Sequence, residues 1–269
     1  MKYKHILTFL AIFSLFLIQG CSITVNRGEE GKAQEDKRPD TEINEVANDN
    51  DVKVDVEVSE RMGKVRDLPT FNSLLHNIAG NIVWKQGDEQ RLEIQSTDEV
   101  LAQVITEVKE GGLLYIGFRD RDFQLNDNKL YIFITTPEIK AIRLSGSGNL
   151  EAKNRWRVED LSLAISGSGN MDISLKADKV LADISGSGNI NLKGKADRYV
   201  IDMSGAGQIA GDKLKVETCK VNLSGSGSCV LNVTDRLDVK INGSGSVIYK
   251  GNAEVSKSID GSGSVVKKQ

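Results

Sequence analysis

The sequence predicts an all-β solenoid, a β-helix-like stack of about seven coils of roughly 20 residues each behind an N-terminal β-rich cap. Three observations predict it. A Gly-x-Gly motif recurs seven times, beginning with LSGSGNL at 144 and ending with IDGSGSV at 259. Its first glycines are Gly146, Gly167, Gly186, Gly205, Gly225, Gly243 and Gly261, at steps of 21, 19, 19, 20, 18 and 18 residues. Between the motifs apolar residues alternate, as in Val180-x-Ala182-x-Ile184 and Tyr199-x-Ile201-x-Met203, the period of a strand and not of a helix. From 142 onward there is no proline and no amphipathic helical pattern, which disfavours a horseshoe built with helices.

Residues 1–20 read as a lipoprotein signal peptide. Lys2 and Lys4 open it, and the apolar run from Ile6 to Ile18 is too short to span a bilayer as a mature helix. The run ends in Leu17-Ile18-Gln19-Gly20-Cys21, which resembles a lipobox and makes Cys21 the lipidation site. The plainer alternative is an ordinary cleaved signal with a chance cysteine. Acyl chains contribute about 0.8 kcal/mol per buried methylene, so several on one cysteine anchor a protein firmly. The expected location is the cell envelope, lipid-anchored in the outer membrane, with Ser22 after the cysteine permitting that sorting and the periplasmic or surface side left open.

Residues 21–66 read as a disordered acidic tether. The whole chain carries a net charge of −3, yet residues 27–60 alone hold 12 acidic and 5 basic residues. Such a segment has too little apolar surface to order itself and extends by self-repulsion. No basic stripe is visible in the sequence, which argues against nucleic acid as a partner.

Residues 67–141 predict the cap, or the first irregular coils of the same helix. The run from Ile78 to Trp84, a Lys85-Gln86-Gly87-Asp88 turn and Arg91 to Gln95 read as one hairpin. Val104 to Val108, Gly111-Gly112 and Leu113 to Phe118 read as a second. Leu130 to Ile134 is a further strand, and Pro137 marks entry to the coils. A solenoid end needs cover because it exposes core and unpaired backbone. At the other end nothing follows the last motif, although the closing lysines discourage edge pairing.

Residues 142–269 are the repeats. Strand parity places Leu144 and Leu150 inward, and with them Gly146 and Gly148. The second glycines continue as Gly169, Gly188, Gly207, Gly227, Gly245 and Gly263. Glycine lets opposite walls approach and permits positive φ at a corner, so all fourteen are structural repeat glycines. After each motif comes an apolar ladder: Leu150, Met171, Ile190, Ile209, Cys229, Val247, Val265. Outward columns of Ser (145, 166, 185, 204, 224) and Asn (149, 170, 189) are placed to hydrogen-bond from coil to coil, at about 1 kcal/mol per bond. The next outward column changes from Glu151 and Asp172 to Val230, Ile248 and Val266, which suggests either a locally wider core or self-association through the C-terminal coils.

Catalytic signals are weak. Asp183 and Asp202 share an outward column and form a candidate acidic pair, flanked there by Ala164 and Asn222. A glycoside hydrolase needs two carboxylates roughly 5 to 9.5 Å apart in a cleft, and the near-constant period leaves no long loops to wall one. His76 is the one histidine beyond the signal and lies in the cap; Arg198 and Lys220 stand at unequal offsets from the motif, unlike a lyase base. A phosphate cradle at Gly-x-Gly would need a helix start behind the loop, and none follows. Cys219 and Cys229 lack metal-type spacing, Cys229 falls in the apolar ladder, and a bridge between them is left open. No cofactor and no metal site is expected. The expectation is a non-catalytic protein whose ridged polar wall binds a glycan or envelope polymer through weak multivalent contacts. The alternative is a structural envelope scaffold or spacer, and a polysaccharide lyase or hydrolase ranks below both.

The series of motifs resembles a known family. Phe71-Asn72-Ser73 leads into Gly80-Asn81-Ile82-Val83, a Gly87-Asp88 turn, Thr135-Thr136-Pro137 and then the Leu-Ser-Gly-Ser-Gly-Asn repeats. This order, over roughly residues 68 to 250, resembles the bacterial putative auto-transporter adhesins, head GIN domain, common in Bacteroidetes envelopes. The resemblance implies a β-helix-like all-β rod and a role in adhesion. It carries no defined site to transfer, and the copies at 203, 241 and 259 depart from the consensus.

Overall fold

A computed structural model describes residues 62–125 and 129–268. The signal peptide, Cys21 and nearly all of the acidic tether lie outside the described residues. The chain is a β-solenoid, and the repeats form its body. Strands β8 (Ala141–Gly146) and β9 (Asn149–Ala152) make the first repeat coil. They are followed by β10 (Trp156–Gly167), β11 (Asn170–Gly186), β12 (Asn189–Gly205), β13 (Gln208–Gly225) and β14 (Ser228–Gly243). The last coils are β15 (Ser246–Lys250), β16 (Glu254–Asp260) and β17 (Ser264–Lys267). All pairings among them are parallel, and the motif glycines stand directly over one another from Gly146 to Gly243. Differences in coil length are absorbed away from the motif, at register shifts between Asn191 and Lys193 and between Gly211 and Lys215.

Period-two patterning is what closes this body. Each inward residue stacks on its counterpart one coil away, so Leu150, Met171, Ile190, Ile209, Cys229 and Val247 form one continuous buried ladder. Burial of each large side chain contributes about 1.5–3 kcal/mol. Because parallel strands pair on both edges, the interior coils also satisfy their backbone groups.

The glycine corner has a different cause from the one parity predicts. Only the second glycine of each motif is buried, in every copy from Gly148 to Gly245. The first turns with φ between +116° and +142° and is partly exposed. No opposite wall is pinched there. A Cβ on Gly167 or Gly186 would lie 2.5 Å from the carbonyl oxygen of the first glycine one coil earlier. A Cβ on Gly188 would meet Gly169 O at 2.7 Å and the Ile165 side chain at 2.5 Å. The clash is therefore axial, between successive coils. The same approach satisfies the corner: Ser187 N donates to Gly167 O at 2.9 Å and Asn189 N to Gly169 O at 3.0 Å, and this pair of bonds recurs along the stack.

The residues before the repeats extend the same core. Their strands are β1 (Met62–Arg66), β2 (Ser73–His76), β3 (Asn81–Gln86), β4 (Arg91–Ser96), β5 (Val104–Lys109), β6 (Leu113–Phe118) and β7 (Tyr131–Thr136). A short helix, α1 (Asp98–Gln103), buries Val100 and Leu101. Strands β2 and β3 stack in parallel on β8 and β9, and β6 and β7 stack in turn on β2 and β3. The first expected hairpin does not form: β3 and β4 both pair with β7, which lies between them. The second does, as the antiparallel pair β5–β6. Antiparallel β4, with β1 on its far edge, and β5 flank this end of the stack.

Candidate functional site

The outer wall beside the glycine corner carries the most regular polar array. Asn170 Nδ2 donates to Asn149 Oδ1, and Asn189 Nδ2 to Asn170 Oδ1, both at 2.7 Å. Asn149 Nδ2 donates to Asn81 Oδ1 at 3.2 Å, so the ladder begins one coil earlier than the repeats reveal. Asn81 was hidden because its spacing from Asn149 breaks the 20-residue rhythm; the interleaved coil β6–β7 intervenes in the chain. The ladder continues in register through Gln208, Ser228, Ser246 and Ser264. A linked asparagine uses one amide N–H and one oxygen lone pair along the column, and keeps a second of each toward solvent. Successive coils repeat that donor–acceptor unit roughly every 4.8 Å. The serine column is less connected than expected: among the described residues Ser166 Oγ donates to Ser145 Oγ at 3.2 Å.

Beside the ladder, Asp172 accepts from Asn191 at 2.8 Å and from Lys193 at 3.0 Å. Asp183 and Asp202 are aligned partners on adjacent coils, both exposed, and Asn222 Nδ2 donates to Asp202 Oδ1 at 2.7 Å. Their column runs in order Arg143, Ala164, Asp183, Asp202, Asn222, Lys240. Neither aspartate lines the groove beside β10 or the shallower one around Asp178 and Arg198.

One groove of about 610 Å³ does open on the rod, where the 137–140 connection crosses β10. Its polar lining includes Gln86, Glu138, Lys140, Arg157, Asp160 and Lys179. Gln86 holds the crossing together: its amide nitrogen donates to Pro137 O and Arg157 O at 3.0 Å, and its oxygen accepts from Arg157 N at 2.7 Å. The repeat rhythm gave no hint of this groove, since its walls come from an irregular loop and the first long strand.

The remaining reactive groups are core groups. Cys219 and Cys229 are free and buried, and burial raises both thiols, Cys229 to about 12, so neither is a nucleophile at neutral pH. His76 is fully buried at the head of the column Leu144, Ile165, Ile184, and burial lowers its pKa to about 4. Its ring fills the space that a Cβ on Gly148 would need. Among the described residues no three metal-ligating side chains converge, and no helix is long and apolar enough to cross a membrane.

A family comparison decides the relationship. The sequence profile of "Putative auto-transporter adhesin, head GIN domain" matches residues 70–253, more than half of the chain. The chain belongs to this family. Two solved structures are each 26% identical to it. One is a putative adhesin from Bacteroides fragilis, TM-score 0.74, covering 78% of this chain and 98% of that one. The other is a putative adhesin from Parabacteroides distasonis, TM-score 0.62, covering 78% and 97%. A structure described as a putative lipid binding protein from Parabacteroides distasonis, 24% identical with TM-score 0.65 over 79% and 98% of the chains, shares the fold. No curated protein matches.

Proposed function

We propose that this head GIN protein is a non-catalytic, lipid-anchored envelope adhesin that binds a glycan or envelope polymer along its asparagine wall. The observation that carries the reading is the amide ladder from Asn81 to Asn189, a straight row of paired donors and acceptors on an unobstructed face. Each site offers one or two hydrogen bonds worth about 1 kcal/mol apiece, so useful affinity comes from many aligned contacts with a repeating polymer. The family description supports adhesion in general. Cys21 supplies the membrane anchor and outer-membrane placement in this reading.

Binding of the purified chain to arrayed glycans and isolated cell-wall polymers tests it. Asn170→Ala with Asn189→Ala is expected to reduce polymer binding at least tenfold while leaving the circular dichroism unchanged. Binding indifferent to that pair defeats the ladder as the site. No binding at all, together with envelope defects on deletion, favours the scaffold role. Hydrolysis or elimination of a polysaccharide, lost in Asp183→Asn plus Asp202→Asn, establishes an enzyme instead. Radiolabelled palmitate incorporation abolished by Cys21→Ala tests the anchor, and protease accessibility on intact cells tests the side of the membrane.

A further inference from the structure

The two ends of the solenoid are finished differently. Antiparallel β1, β4 and β5 flank the first coils. At the far end no described strand pairs with the outer edge of β16 or β17. Three of the five exposed large apolar side chains among the described residues lie in the last coils: Ile248 at 37%, Ile259 at 37% and Val266 at 52%. Val255 and Val265 are only half buried beside them. Among the described residues the outer edge of β16 and β17 has no strand partner, and its inward Val255, Ile259 and Val265 are only partly covered, while Ile248 and Val266 continue the outward column; such an edge is the template onto which a further strand adds.

One residue restricts what can add. The inward column Leu163, Ala182, Ile201, Val221, Val239 ends in Lys257. Two such ends meeting face to face would oppose Lys257 to Lys257, with Lys267 and Lys268 beside them. A symmetric end-to-end dimer is therefore disfavoured, and a strand of opposite net charge with an apolar face is favoured.

The chain itself contains such a strand. Residues 51–58 read Asp-Val-Lys-Val-Asp-Val-Glu-Val, an alternation that as a strand would set Val52, Val54, Val56 and Val58 on one face and Asp51, Lys53, Asp55 and Glu57 on the other, a net charge of −2. It matches the length of the seven-residue β16 and bears the opposite net charge to the last coil. It cannot reach its own C-terminal edge. Four peptide steps join Val58 to Met62, a reach of at most about 14 Å. The stack from β1 to β17 runs through ten strand spacings, roughly 48 Å.

We propose that the open edge of β16–β17 accepts residues 51–58 of a second copy, so that copies join head to tail. The contact is heterologous, because donor and acceptor surfaces differ, and each joined copy still offers a free donor and a free acceptor.

Disulfide trapping on the full chain tests this. A chain carrying Asp55→Cys is mixed with one carrying Ser258→Cys and oxidised; the native Cys219 and Cys229 are buried. A covalent heterodimer is expected, falling at least tenfold when the donor also carries Val54→Asp and Val56→Asp. Absence of the heterodimer from variants with the parent circular dichroism overturns the proposal. So does a heterodimer indifferent to the valine replacements, or a Ser258→Cys chain that dimerises with itself as readily.

Discussion

At the scale of single residues, the corner glycines and His76 carry the sharpest consequences. Gly186 combines φ of +138° with the 2.5 Å approach to Gly167 O. Backbone strain alone costs about 1–3 kcal/mol, and a valine would add a clash that only coil separation relieves. Gly186→Val is expected to lower stability by roughly 3 kcal/mol or more in thermal denaturation. Gly111, at φ +77° with nothing within 4 Å of a Cβ, separates the two effects: Gly111→Ala costs only about 1 kcal/mol. His76 makes stability depend on pH. Its folded pKa of about 4 lies below the ordinary 6.5, so the unfolded chain binds its proton first. The neutral-ring contribution is complete above pH 6.5 and is lost as pH falls through the window down to 4, by about 3 kcal/mol in all. His76→Leu, which continues the column of Leu144, should flatten that slope in urea titrations at pH 4.5 and 7.

At the scale of elements, the join between the irregular coils and the repeats depends on one polar contact inside the apolar core. Trp84 and Trp156 pack edge to face at 5.9 Å, both fully buried. Trp84 Nε1 donates to Thr136 Oγ1 at 2.9 Å, and that hydroxyl donates onward to Glu138 O at 2.9 Å. Thr136→Val keeps the shape but leaves an indole N–H buried without an acceptor. It should cost about 1–3 kcal/mol, visible in the tryptophan-monitored unfolding midpoint. Lys257 acts at the opposite end. Lys257→Val completes the inward column but removes the charge from an open edge, so the variant is expected to aggregate in light scattering at concentrations where the parent stays dispersed.

At the scale of the whole molecule, each coil contacts its neighbours, so stability is close to a sum of coil terms and interfaces. Among the described residues the central coils are paired on both sides and the last coil on one. Amide exchange is therefore expected to be fastest over residues 254–268 and slowest in β11 to β13, and uniform exchange along the rod would contradict this. Head-to-tail joining would slow exchange in the last coil as protein concentration rises, which gives the same measurement a second use.

The repeat rhythm and the alternation within it are properties of the sequence. They determined the fold class, the inward ladders from Leu150 to Val247 and the alignment of Asp183 with Asp202, because a parallel coil translates chain distance into axial distance by a fixed step. What they could not determine is everything that departs from the step. The placement of β7 between β3 and β4, the extension of the amide ladder to Asn81 and the groove under Gln86 join residues at irregular separations. The axial cause of the glycine corner was equally out of reach. Parity tells which way a side chain would point, but only the stacked backbone shows that the carbonyl of the coil below already occupies the space.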